Sequence, residues 1–278
     1  MSHLYWEGAA IAARYAKYRP IPPAGLINRI LEFLKEKYTG PLNIAYDVGC
    51  GSGQSTQFFA PHFSRIIGTD LSPSQVEQAA EQNKYPNIFY KVSPAETIPE
   101  KDGTVQLISA SQAAHWFDLP KFYEEGRRAL CKGGVLCMYG YELPKFVWPK
   151  DPSKENLLNA AMMDFYNGDL AHYVLTPSKD LYLGRYTLEK FNISFAPETV
   201  RDDSFCHDVE STVEDMVMYT ATWSGFNNFC KKNGDEAGLK LLEKYRNKLM
   251  EILNVPTSPA ETYFTKRSSY FMLMGRNL

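Results

Sequence analysis

The chain of 278 residues lacks an excess of either charge, a cysteine framework and any long apolar run. Its 30 basic and 32 acidic residues leave a formal net charge of -2, with neither sign gathered in a block. That excludes the broad basic footprint of a nucleic-acid or anionic-membrane binder. The five cysteines, Cys50, Cys131, Cys137, Cys206 and Cys230, form neither a C-x-x-C pair nor a zinc spacing with histidine. No metal site and no disulfide scaffold is expected, and the compartment is expected to be reducing. No stretch reaches the roughly 18 apolar residues of a membrane span. The small-residue stretch 9–13 runs straight into Arg14 and Lys17, unlike the apolar core of a secretion signal. The expectation is a soluble, cytoplasmic monomer that acts on a small molecule, with no nucleic-acid or membrane partner.

What the chain does contain is an alternation of apolar strands and amphipathic helices. Hydrophobic residues make up 44% of it, enough for one large domain or for a core domain with a cap. An aromatic leader ends at Arg19-Pro20-Ile21-Pro22-Pro23, which breaks any helix. Leu26, Ile27, Ile30, Leu31 and Leu34 then recur at helical spacing. Strands are predicted near 43–48, 65–69, 88–92, 105–110 and 135–139. Helices fall between them: one running from a glycine turn through Phe58 and Phe59, one capped by Ser72 with Pro73 in its first turn, and one over 120–131. This pattern predicts an α/β fold with a doubly wound, mostly parallel sheet. Residues 141–190 interrupt it with an aromatic segment that reads as an inserted, helical cap. Further on, 205–209 reads as a sixth strand and Ser211-Thr212-Val213-Glu214 as a capping box. A helix over 235–253 is expected to turn Leu239, Leu242, Leu249 and Leu253 inward, and 270–274 to form the last strand. The division expected is a lid and helix over 1–39, a ligand-binding core over 40–140, the cap over 141–190, and a part over 191–278 that completes the sheet.

The most informative stretch is Asp47-Val48-Gly49-Cys50-Gly51-Ser52-Gly53-Gln54, an acid and three alternate glycines directly after the first strand. Glycine lets backbone approach a ligand closely and accepts positive φ. In an open α/β sheet the ligand lies beyond the carboxyl ends of the strands. This brings the glycine turn, Asp70 at the end of the second strand, the loop 93–97 and the loop 111–118 around one crevice. A dinucleotide turn wants G-x-G-x-x-G, but here the third glycine comes one residue early. Asp47 would repel a pyrophosphate and attract a ligand bearing an ammonium group and a sulfonium. Asp70 is placed to accept from both hydroxyls of a ribose. These features favour S-adenosylmethionine over NAD as cofactor.

The turn at 47–53, Gly68-Thr69-Asp70-Leu71-Ser72, His115-Trp116-Phe117 and Lys132-Gly133-Gly134 together resemble the class I S-adenosylmethionine-dependent methyltransferases. Tyr15-Ala16-Lys17-Tyr18-Arg19-Pro20, the His-Trp-Phe triplet and Thr222-Trp223-Ser224 are similar to the trans-aconitate methyltransferase-like group within them. The resemblance implies a seven-stranded Rossmann-like methyltransferase fold and S-adenosylhomocysteine as product. It also implies that Gly49, Gly51 and Gly53 admit the methionine part, Asp47 helps hold its ammonium, Asp70 binds the ribose and Leu71 lies against the adenine. Where the family has an acid before Ala-Glu, this chain has Pro94-Ala95-Glu96, leaving Ala95 backbone and Glu96 as the local contacts. Ser111 and Gln112 would line the methionine chain, and Tyr18 and Arg19 would belong to a lid over the cofactor.

Methyl transfer from a sulfonium needs alignment above all. An acceptor that must lose a proton needs a base, and His115 is the candidate, although a histidine beside two aromatics is more often a packed, hydrogen-bonded core residue. The named group implies O-methylation of a carboxylate, for which an arginine clamp is available among Arg14, Arg19, Arg185 and Arg201. An NAD-dependent oxidoreductase and a non-catalytic cofactor-binding protein remain alternatives.

Overall fold

The computed structural model describes residues 18–278, and helix α1 (Ala24–Lys35) lies near the start of that range. The leader residues Arg14 and Tyr15 lie outside the described residues. Leu26, Ile30 and Leu34 form the buried stripe of α1, on one face of the sheet. The parallel strands follow as β1 (Ile44–Val48), β2 (Arg65–Asp70), β3 (Ile88–Val92), β4 (Val105–Ser111) and β5 (Leu130–Tyr141). Helix α2 (Pro73–Glu81) joins β2 to β3, and α3 (Leu119–Ala129) joins β4 to β5. Along β5, Leu136 and Met138 enter one apolar layer while Val135, Cys137 and Tyr139 enter the other. Both faces are therefore covered, and the strands read as apolar runs for that reason. The Ser72 side chain caps α2, with Pro73 in the first turn, as expected.

The helix expected after the glycine turn is only a short 3-10 turn, Thr56–Phe59. The rest of the chain supplies β6 (Lys145–Val147), α4 (Pro152–Asp164), α5 (Thr176–Tyr182), β7 (Glu198–Asp202), β8 (Cys206–Thr212), α6 (Val213–Thr220), α7 (Ser224–Asn233), α8 (Asp235–Leu253) and β9 (Tyr263–Arg276). The strand order begins β3-β2-β1-β4-β5-β9. The carboxyl half of β9 pairs antiparallel with β5 on one side and β7 on the other. Its amino half continues beyond the sheet between β6 and β8. Two hydrogen bonds bridge the halves, from Glu142 N–H to Ser269 C=O and from Tyr270 N–H to Phe205 C=O, both near 2.9 Å. The nine strands among the described residues thus fill seven positions across the sheet. Since β9 runs against β5, its amino half projects past the carboxyl ends of the parallel strands, where a cap is needed.

The last strand is longer than the 270–274 expected, and β7 was not anticipated. Glu198-Thr199-Val200-Arg201-Asp202 lies at the outer edge and alternates in exposure, so it has no apolar run to reveal it. The capping box falls one residue later than expected: Thr212 caps α6 and Asp215 answers it. In α8, Leu242, Leu249 and Leu253 are buried, but Leu239 is 68% exposed. The inward stripe instead runs through Gly238, Leu241, Leu242 and Tyr245. Gly238 is required by packing, since a Cβ there would lie 2.4 Å from Cys230 Sγ on α7. A separate apolar cluster joins Phe146, Leu158, Phe165 and Tyr166 to Trp223, Leu242, Leu249 and Phe264, so the helices after residue 213 pack with the 143–174 segment. No helix among the described residues is long and apolar enough to cross a membrane.

Arg276, at the end of β9, fastens the sheet to α1. Its guanidinium is fully buried, lies 4.1 Å from the Phe33 ring centroid, and donates to the C=O groups of Phe33 and Leu34 in the last turn of α1. Glu36 and Glu198 balance the charge at 3.1 and 3.0 Å. Replacing Arg276 with Met should lower the unfolding free energy by about 3 kcal/mol in urea titration; a loss below about 1 kcal/mol would show that the latch adds little.

Candidate functional site

A cleft enclosing about 1100 Å³, part of it open to solvent, lies at the carboxyl ends of β1, β2 and β4. Of the residues expected at a cofactor, Gly49, Gly51, Asp70 and Leu71 line it from one side, and Ala95, Glu96, Ser111 and Gln112 from the other. Asp47, Gly53, His115, Tyr18 and Arg19 are not on its wall.

The three glycines serve three different needs, all at positive φ. A Cβ on Gly49 would lie 2.4 Å from the Ala113 Cβ, so this glycine lets the turn close against the loop after β4. A Cβ on Gly53 would lie 2.4 Å from the Tyr90 hydroxyl oxygen, on the side of the turn away from the cleft. Only Gly51 has open space, its nearest neighbour being Gln75 Oε1 at 3.8 Å. A side chain there would fill the cleft, so Gly51 is the position where backbone can meet a ligand.

Asp47 corrects the expectation of an ammonium contact. It is fully buried beneath the turn and accepts from Ser55 Oγ at 2.9 Å, Thr56 Oγ1 at 2.6 Å and Ser109 Oγ at 2.9 Å. Burial pushes its pKa up, against the pull of those three hydroxyls. The carboxylate ties the glycine turn to β4 and does not line the cleft. Asp70 does face the cleft. Its oxygens accept from Gly51 N–H and Ser72 N–H, both at 2.9 Å, which fixes the carboxylate beside the turn. Burial raises the Asp70 pKa while these N–H groups oppose the rise.

Gln112 adopts φ of 55°, unusual for a residue with a side chain. Its amide extends the β4–β5 ladder, accepting from Tyr141 N–H at 2.9 Å and donating to Tyr141 C=O at 3.2 Å. Glu96 accepts from Asp118 N–H at 2.8 Å, joining the two loops that frame the cleft. His115 turns away from the cleft toward Tyr186, Nδ1 lying 3.3 Å from the hydroxyl. Burial, aided by the charges of Arg19 and Lys190, pulls its pKa down to about 3. It is a weak base in a closed setting, and the structure gives it a packing role in place of the expected catalytic one.

The leader reaches the cleft through Pro20 and Pro22. Tyr18 packs against the cap cluster, and Arg19 donates to the hydroxyls of Tyr141 at 3.2 Å and Tyr182 at 2.8 Å and to Thr222 C=O at 3.0 Å. Ile21 C=O accepts from the Tyr270 hydroxyl at 2.6 Å. Gln75 was missed by sequence reasoning. It is 3% exposed, lines the cleft from the first turn of α2, and its Oε1 has no hydrogen-bond partner. The signal was there in the capped helix start, which places the third residue after Ser72 beside the strand end.

A methyltransferase-domain family model matches residues 46–138. A Dictyostelium discoideum protein named as a methyltransferase is 32% identical over 222 residues, covering 80% of this chain and 78% of that one. The chain belongs to the S-adenosylmethionine-dependent methyltransferases. A Saccharomyces cerevisiae protein that carries this family's name is 24% identical over 277 residues, covering 88% of this chain and 90% of that one. A methyltransferase structure from Anaeromyxobacter dehalogenans, 24% identical, superposes with a TM-score of 0.71 over 94% of this chain and 99% of that one, which shows the shared fold. The cleft of this methyltransferase suits its cofactor. Among the described lining residues the carboxylates are Asp70 and Glu96 and no lysine, arginine or histidine is present, a wall for a cation and not for a pyrophosphate. The open Cα of Gly51 and the unpartnered Gln75 Oε1 add a close approach and an acceptor.

Asp70→Ala should weaken S-adenosylhomocysteine binding at least tenfold in calorimetry, about 1.4 kcal/mol, because both the ligand's acceptor and the anchor of Gly51 N–H are lost. Unchanged affinity would displace Asp70 from the binding wall. His115 predicts a pH effect on stability. With a folded pKa of about 3 and an unfolded value near 6.5, the unfolded chain binds the extra proton between those values. Stability from this group is therefore complete above pH 6.5 and falls with acid through that window, by about 2 kcal/mol at pH 5. His115→Phe should remove that part of the acid dependence in melting curves; an unaltered slope would show that the histidine titrates normally.

Proposed function

We propose that this methyltransferase acts on a small molecule and transfers the methyl to a carboxylate oxygen, as the likeness to the trans-aconitate methyltransferase-like group implies. The observation that carries this reading is the absence of a base among the described residues of the cleft wall. Asp70 and Glu96 are held by backbone N–H groups, and His115 is turned toward Tyr186. A carboxylate, ionised at neutral pH, needs no base to become a nucleophile. Arg19 supports the same reading, since it brings a buried guanidinium to Tyr141 on the cleft rim. Arg185 and Arg201 are engaged with Asp203 at the surface and are less suited to a clamp.

In this reading Asp70 binds the ribose, Leu71 and Ala95 border the adenine, and Gly49, Gly51, Ser111 and Gln112 border the methionine part. S-adenosylmethionine, when bound, supplies a methyl already activated on a sulfonium. The chain's own contribution is alignment and exclusion of water. Pro20 and Pro22 cover the cleft edge, held by the anchors of Arg19 and Ile21 on either side. This leader is the lid, and the 141–190 segment with the projecting half of β9 forms the acceptor side.

The test is release of S-adenosylhomocysteine across a panel of carboxylic acids, phenols and amines. Turnover is expected with acids, yielding methyl esters, at a rate that stays flat between pH 6 and 8 because neither acceptor nor His115 titrates there. Turnover of amines or phenols with none of acids would overturn the carboxylate reading. Cofactor binding without release across the panel would support a non-catalytic protein.

A further inference from the structure

A capping box is begun at the start of α2 and left unfinished. In that motif the side chain three residues after the cap reaches back to accept from the cap residue's own N–H. Thr212 and Asp215 complete it at α6, where Asp215 accepts from Thr212 N–H and Thr212 Oγ1 accepts from Asp215 N–H. At α2 the residues are of the right type, Ser72 as cap and Gln75 three positions on. The first half is made, since Gln75 N–H donates to Ser72 Oγ at 3.4 Å. Another residue takes the second half. Ser72 N–H donates to Asp70 Oδ1 at 2.9 Å, and Gln75 Oε1 is left buried with no hydrogen-bond partner.

The side chain released in this way belongs to the cleft. Gln75 lines the same wall as Asp70, and its Oε1 is the nearest atom, at 3.8 Å, to a Cβ added on Gly51. Gly51 N–H in turn donates to Asp70 Oδ2 at 2.9 Å. The Gln75 amide and the Asp70 carboxylate thus stand by one bare Cα. A buried acceptor with no partner is unfavourable unless a ligand supplies one, and the amide itself selects the chemistry of that ligand. An ammonium only donates, and would set the amide NH2 against a positive charge. A ribose hydroxyl both donates and accepts, as the amide does. Each Asp70 oxygen already holds one backbone N–H, so a further neutral partner beside it suits the second hydroxyl of a diol.

We propose that Gln75 is a cofactor-specificity residue: its side-chain amide, free because Asp70 takes Ser72 N–H, pairs with one hydroxyl of the cofactor ribose beside the hydroxyl bound by Asp70. The inference rests on the reading of Asp70 as the ribose acid. One exchange of partners at the start of α2 serves both residues. It fixes the Asp70 carboxylate through Ser72 N–H, and it leaves the amide three positions on for the ligand. The pair then reads a complete vicinal diol, which neither side chain reads alone.

The test is calorimetric binding to the full chain of S-adenosylhomocysteine and of the two analogues that each lack one ribose hydroxyl. Wild type is compared with Gln75→Met, a change of similar length that removes the amide. Wild type should bind both analogues more weakly than the parent. Gln75→Met should bind the parent about fivefold more weakly, and for one analogue the loss due to the substitution should vanish, because the hydroxyl and its partner are then both gone. Melting of the unliganded variant should be no lower than that of wild type, since an unpartnered acceptor adds nothing to the fold; this reports folding and separates a ligand contact from a structural one. Unchanged affinity for the parent, or an equal loss with all three ligands, overturns the proposal. Discrimination among the ligands that is lost in Asp70→Ala but kept in Gln75→Met also overturns it, while leaving the ribose reading of Asp70 in place. Equal binding of all three ligands by wild type would instead overturn that reading, and the proposal with it.

Discussion

A carboxylate with no solvent contact sits beneath the glycine turn, and the geometry above it depends on how that charge is satisfied. Burying an ionised Asp costs on the order of several kcal/mol unless hydrogen bonds replace water. Ser55 and Thr56 approach Asp47 from the turn and Ser109 from β4. The three bonds therefore work as a clasp between two strands' loops. With the turn fixed in this way, Gly51 N–H reaches Asp70 and the Gly51 Cα is left bare toward the cleft. The cleft rim thus rests on a polar cluster built around the buried Asp47 beneath it.

The second organising element is β9. Its carboxyl half completes the sheet between β5 and β7, and its amino half carries β6 and β8 beyond the sheet edge. One continuous strand therefore serves both the cofactor layer and the cap. Arg276 holds one end of it against α1, and the Tyr270 hydroxyl near its middle holds the leader at Ile21. A shift of the cap would have to bend this strand or break its ladders, which argues that the place of the cap is set by the sheet.

Much of the sheet was legible because parallel strands buried on both faces must be apolar along their length. Ile44–Val48 and Val105–Ser111 follow this apart from Asp47, Gln106, Ser109 and Ser111. The same logic hid β7 and the amino half of β9, where Arg201, Lys266 and Arg267 interrupt any apolar run. At the site, Asp70, Leu71, Ala95, Glu96, Ser111 and Gln112 could be placed on one cleft from strand ends alone. Asp47 could not, because its direction depends on three hydroxyls, one of them 62 positions away. For His115 the sequence supplied a plausible base, and only packing against Tyr186 shows the ring turned away from the cleft. Spacing predicts which loop a residue belongs to, but not which side of that loop its polar atoms face.

Charge is divided between the cleft and the cap. Asp70 and Glu96 stand at the cofactor end, while Arg19 and Lys266 stand around Tyr219 on the cap side. Within a low-dielectric enclosure such charges act over longer distances than in water. A cationic cofactor would be drawn to the Asp70 and Glu96 end, and Tyr141, which lines the cleft and accepts from Arg19, stands where the two fields meet. If methyl transfer is mainly a matter of alignment, an electrostatic gradient that orders the cofactor would contribute to rate without any side chain handling a proton. That would also account for a buried, weakly basic His115 beside the site: its neutral ring can pack against Trp116 and Tyr186 without placing a third positive charge beside Arg19 and Lys190.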